Sequence, residues 1–187
     1  VEYTTGTAPT QGVLYVAGAA ATDSALRVDT GLATFDNGIR LGAVTDTVMA
    51  ATVTLTNANM LNLRATPIEV VATPGAGRMI YVLGGHLVFN YTGAYTETAD
   101  NMQLRYINGT GTVCSGVIEA TGFVDATADA FTPIVAMATG SGVTSTAGEI
   151  SNAAVVIHNT GDGEYGAGNA ANTVIVTVYY VDIATDL

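Results

Sequence analysis

The segment at residues 161–166, GDGEYG, has the GxGxxG spacing of dinucleotide-binding sites. In those sites the glycines open a helix whose backbone N–H groups bind the pyrophosphate. Here GNAAN follows and then an alternating segment, so no helix begins after the glycines. Asp162 and Glu164 would also repel a phosphate. We therefore interpret the segment as a loop between two strands.

Oxygen-bearing side chains of the same loop suggest a second kind of site, one for Ca²⁺. Asp162 and Glu164, with Asn159 or Asn169, could supply the carboxylate and amide oxygens that this cation prefers. The segment lacks the spacing of a dedicated calcium loop, and an acidic loop in contact with solvent is the simpler interpretation. We therefore predict no metal site.

Two carboxylate pairs elsewhere have the spacing of a general acid and its base. They are Glu97 with Asp100 and Asp125 with Asp129. Short polar side chains at this spacing also cap turns, which is the interpretation we favour. Single helical turns are predicted at residues 96–101 and 125–130, with Thr96 or Asp125 as the N-cap.

Nucleophiles and their partners are scarce in this sequence. His86 and His158 are the two imidazoles, each within an apolar segment and without a second His or Cys at metal-ligand spacing. Cys114 is the single cysteine, which excludes an internal disulfide and predicts a small buried apolar group. There is no Lys and no GxSxG motif. We predict no enzymatic activity, no catalytic residue and no cofactor.

The elements that must position these residues are β-strands. Residues 173–182 alternate, with Val174, Val176, Val178 and Tyr180 on one face, which is the two-residue period of a strand. The segment at residues 153–159 is predicted to be its antiparallel partner, with the Gly-rich acidic loop between them.

Further strands are predicted from residue 60 onward at the spacing of an all-β domain. Gly, Pro and Asn separate them, including a turn at Gly84 and Gly85. The fold class is therefore all-β, an antiparallel β-sandwich similar to a jelly roll, over residues 60–187. The predicted strands are residues 66–72, 78–83, 86–91, 102–107, 112–120, 132–138, 153–158 and 173–183.

The first third of the chain has little bulk with which to build a core. Its aromatic residues before position 80 are Tyr3, Tyr15 and Phe35, against ten aromatics afterwards. We predict that residues 1–59 form an extended N-terminal arm ordered by contact with sister subunits or a larger surface. The alternative is a set of edge strands folded back on the main domain. The predicted contact residues of the arm are Tyr3, Val13, Leu14, Tyr15, Leu26, Val28, Leu32, Phe35, Ile39 and Leu41.

The charge of the chain restricts its partners. The formal net charge is −11, with five Arg and 16 acidic residues. Such a chain repels nucleic-acid phosphates and anionic lipid, so we predict neither nucleic-acid nor membrane binding. Charged residues make up only 11% of the chain, which indicates a surface that neighbouring subunits cover or that is polar without charge.

Three stretches together resemble a known group of proteins: LRATPIEVVATPGAGRMI at residues 63–80, YTETADNMQLRYINGTG at 95–111, and HNTGDGEYGAGN at 158–169. They look like segments of the capsid decoration, or cement, proteins of tailed bacteriophages. The likeness covers most of residues 60–181 and does not extend to residues 1–59.

The resemblance implies β-sandwich subunits grouped as homotrimers on the outer surface of an icosahedral shell of HK97-like major capsid protein. The resemblance implies no catalytic residue in this chain. We therefore expect a structural virion protein that binds and stabilises the assembled shell. The alternatives are a head-fibre or tail component and, from another class, a glycan-binding attachment module. The absence of Trp weakens the last of these.

Overall fold

The computed structural model describes residues 47–97, 100–137 and 147–185. All the predicted arm contacts, from Tyr3 to Leu41, lie outside these residues. The described elements are strands β1 Val48–Thr56, β2 Ile68–Val71, β3 Arg78–Asn90, β4 Tyr95–Thr96, β5 Met102–Tyr106, β6 Ala130–Val135, β7 Val155–Asn159, β8 Gly166–Ala167 and β9 Thr173–Ala184, with the short helices α1 Asn57–Met60 and α2 Ala147–Ile150.

The described chain is all-β and antiparallel, as predicted. Four strands form one sheet in the order β1-β9-β3-β6, and three form a second sheet in the order β2-β7-β5. Strands β4 and β8 make a small ribbon. Buried side chains of both larger sheets belong to one hydrophobic core. The sandwich and jelly-roll arrangement remains a prediction.

Strand β9 organises the four-stranded sheet. It pairs with β1 from Val48↔Val181 to Thr56↔Thr173 and with β3 along nearly its whole length. The predicted alternation is confirmed, because Val174, Val176 and Val178 are fully buried whereas the residues between them are partly exposed.

The predicted pairing of residues 153–159 with β9 is wrong. This segment forms β7, which lies in the other sheet between β2 and β5. Val155, Val156 and Ile157 are all buried, so β7 needs cover on both faces and a neighbour at each edge. The longer β9 instead pairs with strands of 9 and 13 residues that match its length.

The predicted turn at Gly84 and Gly85 is also wrong, since β3 runs through both residues. The chain forms a bulge between Val82 and Gly84 instead. Gly84 has φ +138°, and a Cβ atom on Gly85 would lie 2.1 Å from the carbonyl oxygen of Thr177. Both positions require glycine, but for close packing of strands and not for a hairpin.

Other local predictions differ from the structure in detail. Residues 112–120 form single bridges at Val113, Ser115 and Ile118 instead of a continuous strand. Neither predicted helical turn contributes a described helix: Tyr95–Thr96 is β4, and Ala130 begins β6. The helix α1 is closed by a capping box between Thr56 and Asn59.

Residues 48–59, which we assigned to the arm, form β1 and α1. Strand β1 is an edge strand paired with β9, as in the alternative of edge strands folded on the main domain. Its side chains at Leu55 and Val53 pack on the common core. The described sheet therefore begins at Val48.

Candidate protein-contact surface

The GDGEYG loop at residues 161–166 packs on the buried side chain of Asp100. Asp100 is 1% exposed, and the Gly163 N–H donates to its Oδ1 at 3.4 Å. A Cβ atom on Gly161 would lie 1.6 Å from the same oxygen, so only glycine fits there. The Tyr165 hydroxyl donates to the Asp100 carbonyl oxygen at 2.5 Å. These glycines thus allow the loop to pack on Asp100.

Two other polar side chains in or beside this loop, those of Glu164 and Asn159, bind the backbone. Both carboxylate oxygens of Glu164 accept hydrogen bonds, from Arg64 N at 2.9 Å and Ala65 N at 2.7 Å. Asn159 accepts from Gly161 N and donates to the Gly163 carbonyl oxygen. In residues 47–97, 100–137 and 147–185, no group of three or more His, Cys, Asp or Glu could hold a metal ion.

In the other two carboxylate pairs, Asp125 and Glu97 hold turns, as predicted, whereas Asp129 binds a backbone N–H 38 residues away. Asp125 accepts from the Gly122 N–H at 2.5 Å, and Asp129 accepts from the Tyr91 N–H at 2.9 Å. The Glu97 carboxylate accepts from the Asp100 N–H at 3.4 Å.

Cys114 is buried, as predicted. Burial raises the pKa of its thiol to about 12, so the thiol stays protonated and unreactive at neutral pH.

The two histidines occupy different environments. His86 lies on the outer face of the four-stranded sheet, where its ring stacks on Phe131 with centroids 5.6 Å apart. It also approaches the Tyr179 ring at 6.1 Å. His158 lies in the three-stranded sheet and is hydrogen-bonded to the backbone of Arg64. Burial lowers its pKa, and the nearby Arg105 and Arg64 guanidinium groups lower it further.

The main surface feature of the described chain is the outer face of the four-stranded sheet. Successive side chains of a strand point to opposite faces, so the residues opposite the buried positions must point outward. We call this set the neutral face. Its members are Val48, Ala50, Thr52, Thr54 and Thr56 of β1, Thr173, Ile175, Thr177, Tyr179 and Val181 of β9, Tyr81, His86 and Val88 of β3, and Phe131, Pro133 and Val135 of β6.

The neutral face contains no Asp, Glu, Lys or Arg, although the chain carries a net charge of −11. Large apolar side chains are exposed on it: Phe131 at 65%, Val48 and Val135 at 59%, and Tyr179 at 42%. Thr52 and Thr177 satisfy each other across the strands with a 3.0 Å hydrogen bond. An apolar patch that spans four strands is typical of a protein contact.

Sequence reasoning anticipated an uncharged surface but placed the contact residues in the arm. The pattern that could have located the neutral face is in β9, where residues 173–181 lack charge on both faces. One face of such a strand fills the core. The other must meet solvent or a neighbour.

Comparisons with known proteins place the chain in no family. No family model matches it, and no curated protein matches it. One similar solved structure is a chain of the cyanophage Pam1 capsid asymmetric unit, with 17% identity over 80% of this chain and 93% of that chain, at a TM-score of 0.40. Among the described helices, none is long and apolar enough to span a membrane.

Proposed function

We propose that this chain is a structural protein of a tailed-phage virion, a capsid decoration protein that binds and stabilises the assembled icosahedral shell. It associates with further copies of itself, as a trimer, through the neutral face. The neutral face is the observation that supports self-association. The resemblance of residues 60–181 to cement proteins supports a location in the virion.

Electrostatics favours a second copy of this chain on the neutral face. Two copies carry the same net charge of −11, so most orientations bring like charges together. The neutral face has no carboxylate to repel a different surface of the next copy, as the head-to-tail contacts of a trimer require. Tyr179, Phe131 and Val135 would leave water on contact, and apolar burial contributes roughly 25 cal/mol per Å².

The size of the neutral face also suits a stable contact. Its strands have 9, 12, 13 and 6 residues. Since each strand residue takes up about 3.3 by 4.8 Å, the parts of these strands that carry the face cover on the order of 500 Å² in plan. A standard protein interface buries about 800 Å² of each partner, so this face accounts for most of one.

The N-terminal segment supplies the second part of the proposal. Its apolar residues, which include Tyr15 and Phe35, pack on neighbouring copies or on the major capsid protein. Binding only to the assembled shell stabilises it by mass action, and contact from several linked copies raises avidity. An acidic surface turned outward keeps virions apart in solution.

The direct test of the shell-binding role uses heads assembled without this protein. The purified chain is expected to cosediment with them to a fixed stoichiometry and to raise the temperature at which they open. Failure to bind intact heads at any concentration would reject the decoration role. A glycan array in parallel would detect the attachment module as a sugar-dependent signal.

Deleting residues 1–45 tests the arm, because the cut lies before Val48 and leaves β1 intact. We expect a folded chain that is monomeric or no longer decorates heads. The matched control is the full chain at the same concentration. A truncated chain that still forms the trimer and decorates heads would reject the arm's part in assembly.

A further inference from the structure

A cleft of about 490 Å³ lies at one end of the three-stranded sheet. Its lining includes Arg64, Pro67, Asn108, Thr110 and the ring of His158. Gly109 packs directly on that ring, because a Cβ atom there would lie 2.5 Å from the His158 Nε2 and Cδ2 atoms. The histidine thus forms the floor of the cleft and the loop after β5 forms one wall.

Two guanidinium groups act on the His158 ring, that of Arg64 in the lining of the cleft and that of Arg105 outside it. Among the described residues, Arg64 makes no ion pair. Arg105 lies on β5 beside β7 and binds only neutral oxygens, those of Gln103 and Gly111. Its Nε is buried without a partner. Two guanidinium groups without an ion pair in the described chain thus lie near one histidine, in a protein with five Arg and a net charge of −11.

The nearest carboxylates that the structure describes make no ion pair with these guanidinium groups. Glu164 already accepts from two backbone N–H groups, those of Arg64 and Ala65. Val156 of β7 lies between Glu69 of β2 and Arg105 of β5. The backbones of Glu69 and Arg105 are therefore two strand spacings apart, about 10 Å. The Arg64 guanidinium is therefore free to bind a ligand, although the charge of Glu164, which raises the His158 pKa, offsets part of the positive charge.

The loop after β5 turns a hydrogen-bond donor outward. The Asn108 Oδ1 accepts from both the N–H and the hydroxyl of Thr110, at 2.9 and 2.8 Å. This leaves the Asn108 amide nitrogen as a donor beside Arg64. Ile107, which precedes it, has φ +67°, a conformation that a β-branched residue rarely adopts. Such strain is often found at binding sites.

We propose that this cleft binds an oxyanion, a carboxylate or a phosphate group, through the Arg64 guanidinium and the Asn108 amide. Arg105, whose charge lowers the His158 pKa, contributes long-range attraction from outside the lining. The site is separate from the neutral face and does not depend on the shell-binding role.

The test uses the full-length chain, followed by NMR through the ring protons of its two histidines. Sodium acetate and sodium phosphate are the two probes, each at constant pH and ionic strength, with sodium chloride as the reference salt. We expect the His158 resonance to shift saturably with at least one probe. The His86 resonance, from the neutral face, is the internal control and should not move. The probe that saturates identifies the oxyanion.

Variants at Arg64 make the test specific. Arg64→Gln should weaken the affinity at least tenfold, since hydrogen bonds to charged groups are the stronger ones, and Arg64→Lys should recover part of the loss. Arg78→Gln makes the same charge change at a residue that does not line the cleft, and should bind normally if its spectrum shows a folded chain. A His158 resonance that moves no more than in chloride, or equal binding by Arg64→Gln and the wild type, would overturn the proposal.

Discussion

Substitution of Gly161 by alanine tests the interpretation of the GDGEYG loop as a cradle for Asp100. The new Cβ atom would lie 1.6 Å from the Asp100 Oδ1 and 2.7 Å from its Cα. Rotation of the aspartate side chain could relieve the first contact, but the second involves the backbone. Either the loop or the residues around Asp100 must therefore move.

The expected cost follows from the contacts that this movement breaks. Overpacking in a buried site costs about 1–3 kcal/mol. The hydrogen bonds to Asp100 from the Gly163 N–H and the Tyr165 hydroxyl contribute about 1 kcal/mol each. We expect a loss of about 3 kcal/mol in the free energy of unfolding. For a chain of this size that lowers Tm by roughly 6–12 °C.

Gly163→Ala is the matched control in the same loop. Its Cβ atom would meet the Asp100 Oδ2 at 3.8 Å, an ordinary contact, and neither glycine has a positive φ that alanine would avoid. We expect little change, or a gain of up to about 1 kcal/mol from the stiffer unfolded chain. Urea denaturation followed by circular dichroism measures both variants. Equal stability of the two would refute the packing of the loop on Asp100.

Three further predictions concern the neutral face, the buried thiol and the strained loop. Phe131→Asp places a charge on the neutral face and should weaken self-association at least a hundredfold, measured by light scattering. Val117→Asp places the same charge at a 56% exposed residue outside that face and should leave self-association unchanged. Burial raises the Cys114 pKa from 9.0 to about 12. The neutral thiol therefore stabilises the fold below pH 9, and this contribution is lost as the pH rises towards 12. In native protein at pH 8, alkylation of the thiol should proceed only at the rate of unfolding. Ile107→Asn relieves a positive φ at a 54% exposed residue and should stabilise the chain by about 1 kcal/mol in urea; a loss would contradict the strain.

Local sequence patterns were sufficient to locate most strands and their faces. Alternation identifies β9 and its buried valines because a strand's period of two is set by its own backbone. The apolar segment of Cys114 likewise indicates its burial. The all-β class follows from many such segments separated by turn residues.

Partners and close contacts were decided by the tertiary structure. Alternation shows which side of a strand is apolar but not which strand lies beside it, so β7 was paired with β9 when it belongs to the other sheet. Two glycines at positions 84 and 85 resemble a turn locally, yet a carbonyl of β6 approaches Gly84 and one of β9 approaches Gly85 too closely for a side chain. Asp100 and Gly161 meet across 60 residues of chain, and Gln103 and His158 pair across 54, because strand register brings distant segments together. Local sequence patterns do not specify that register.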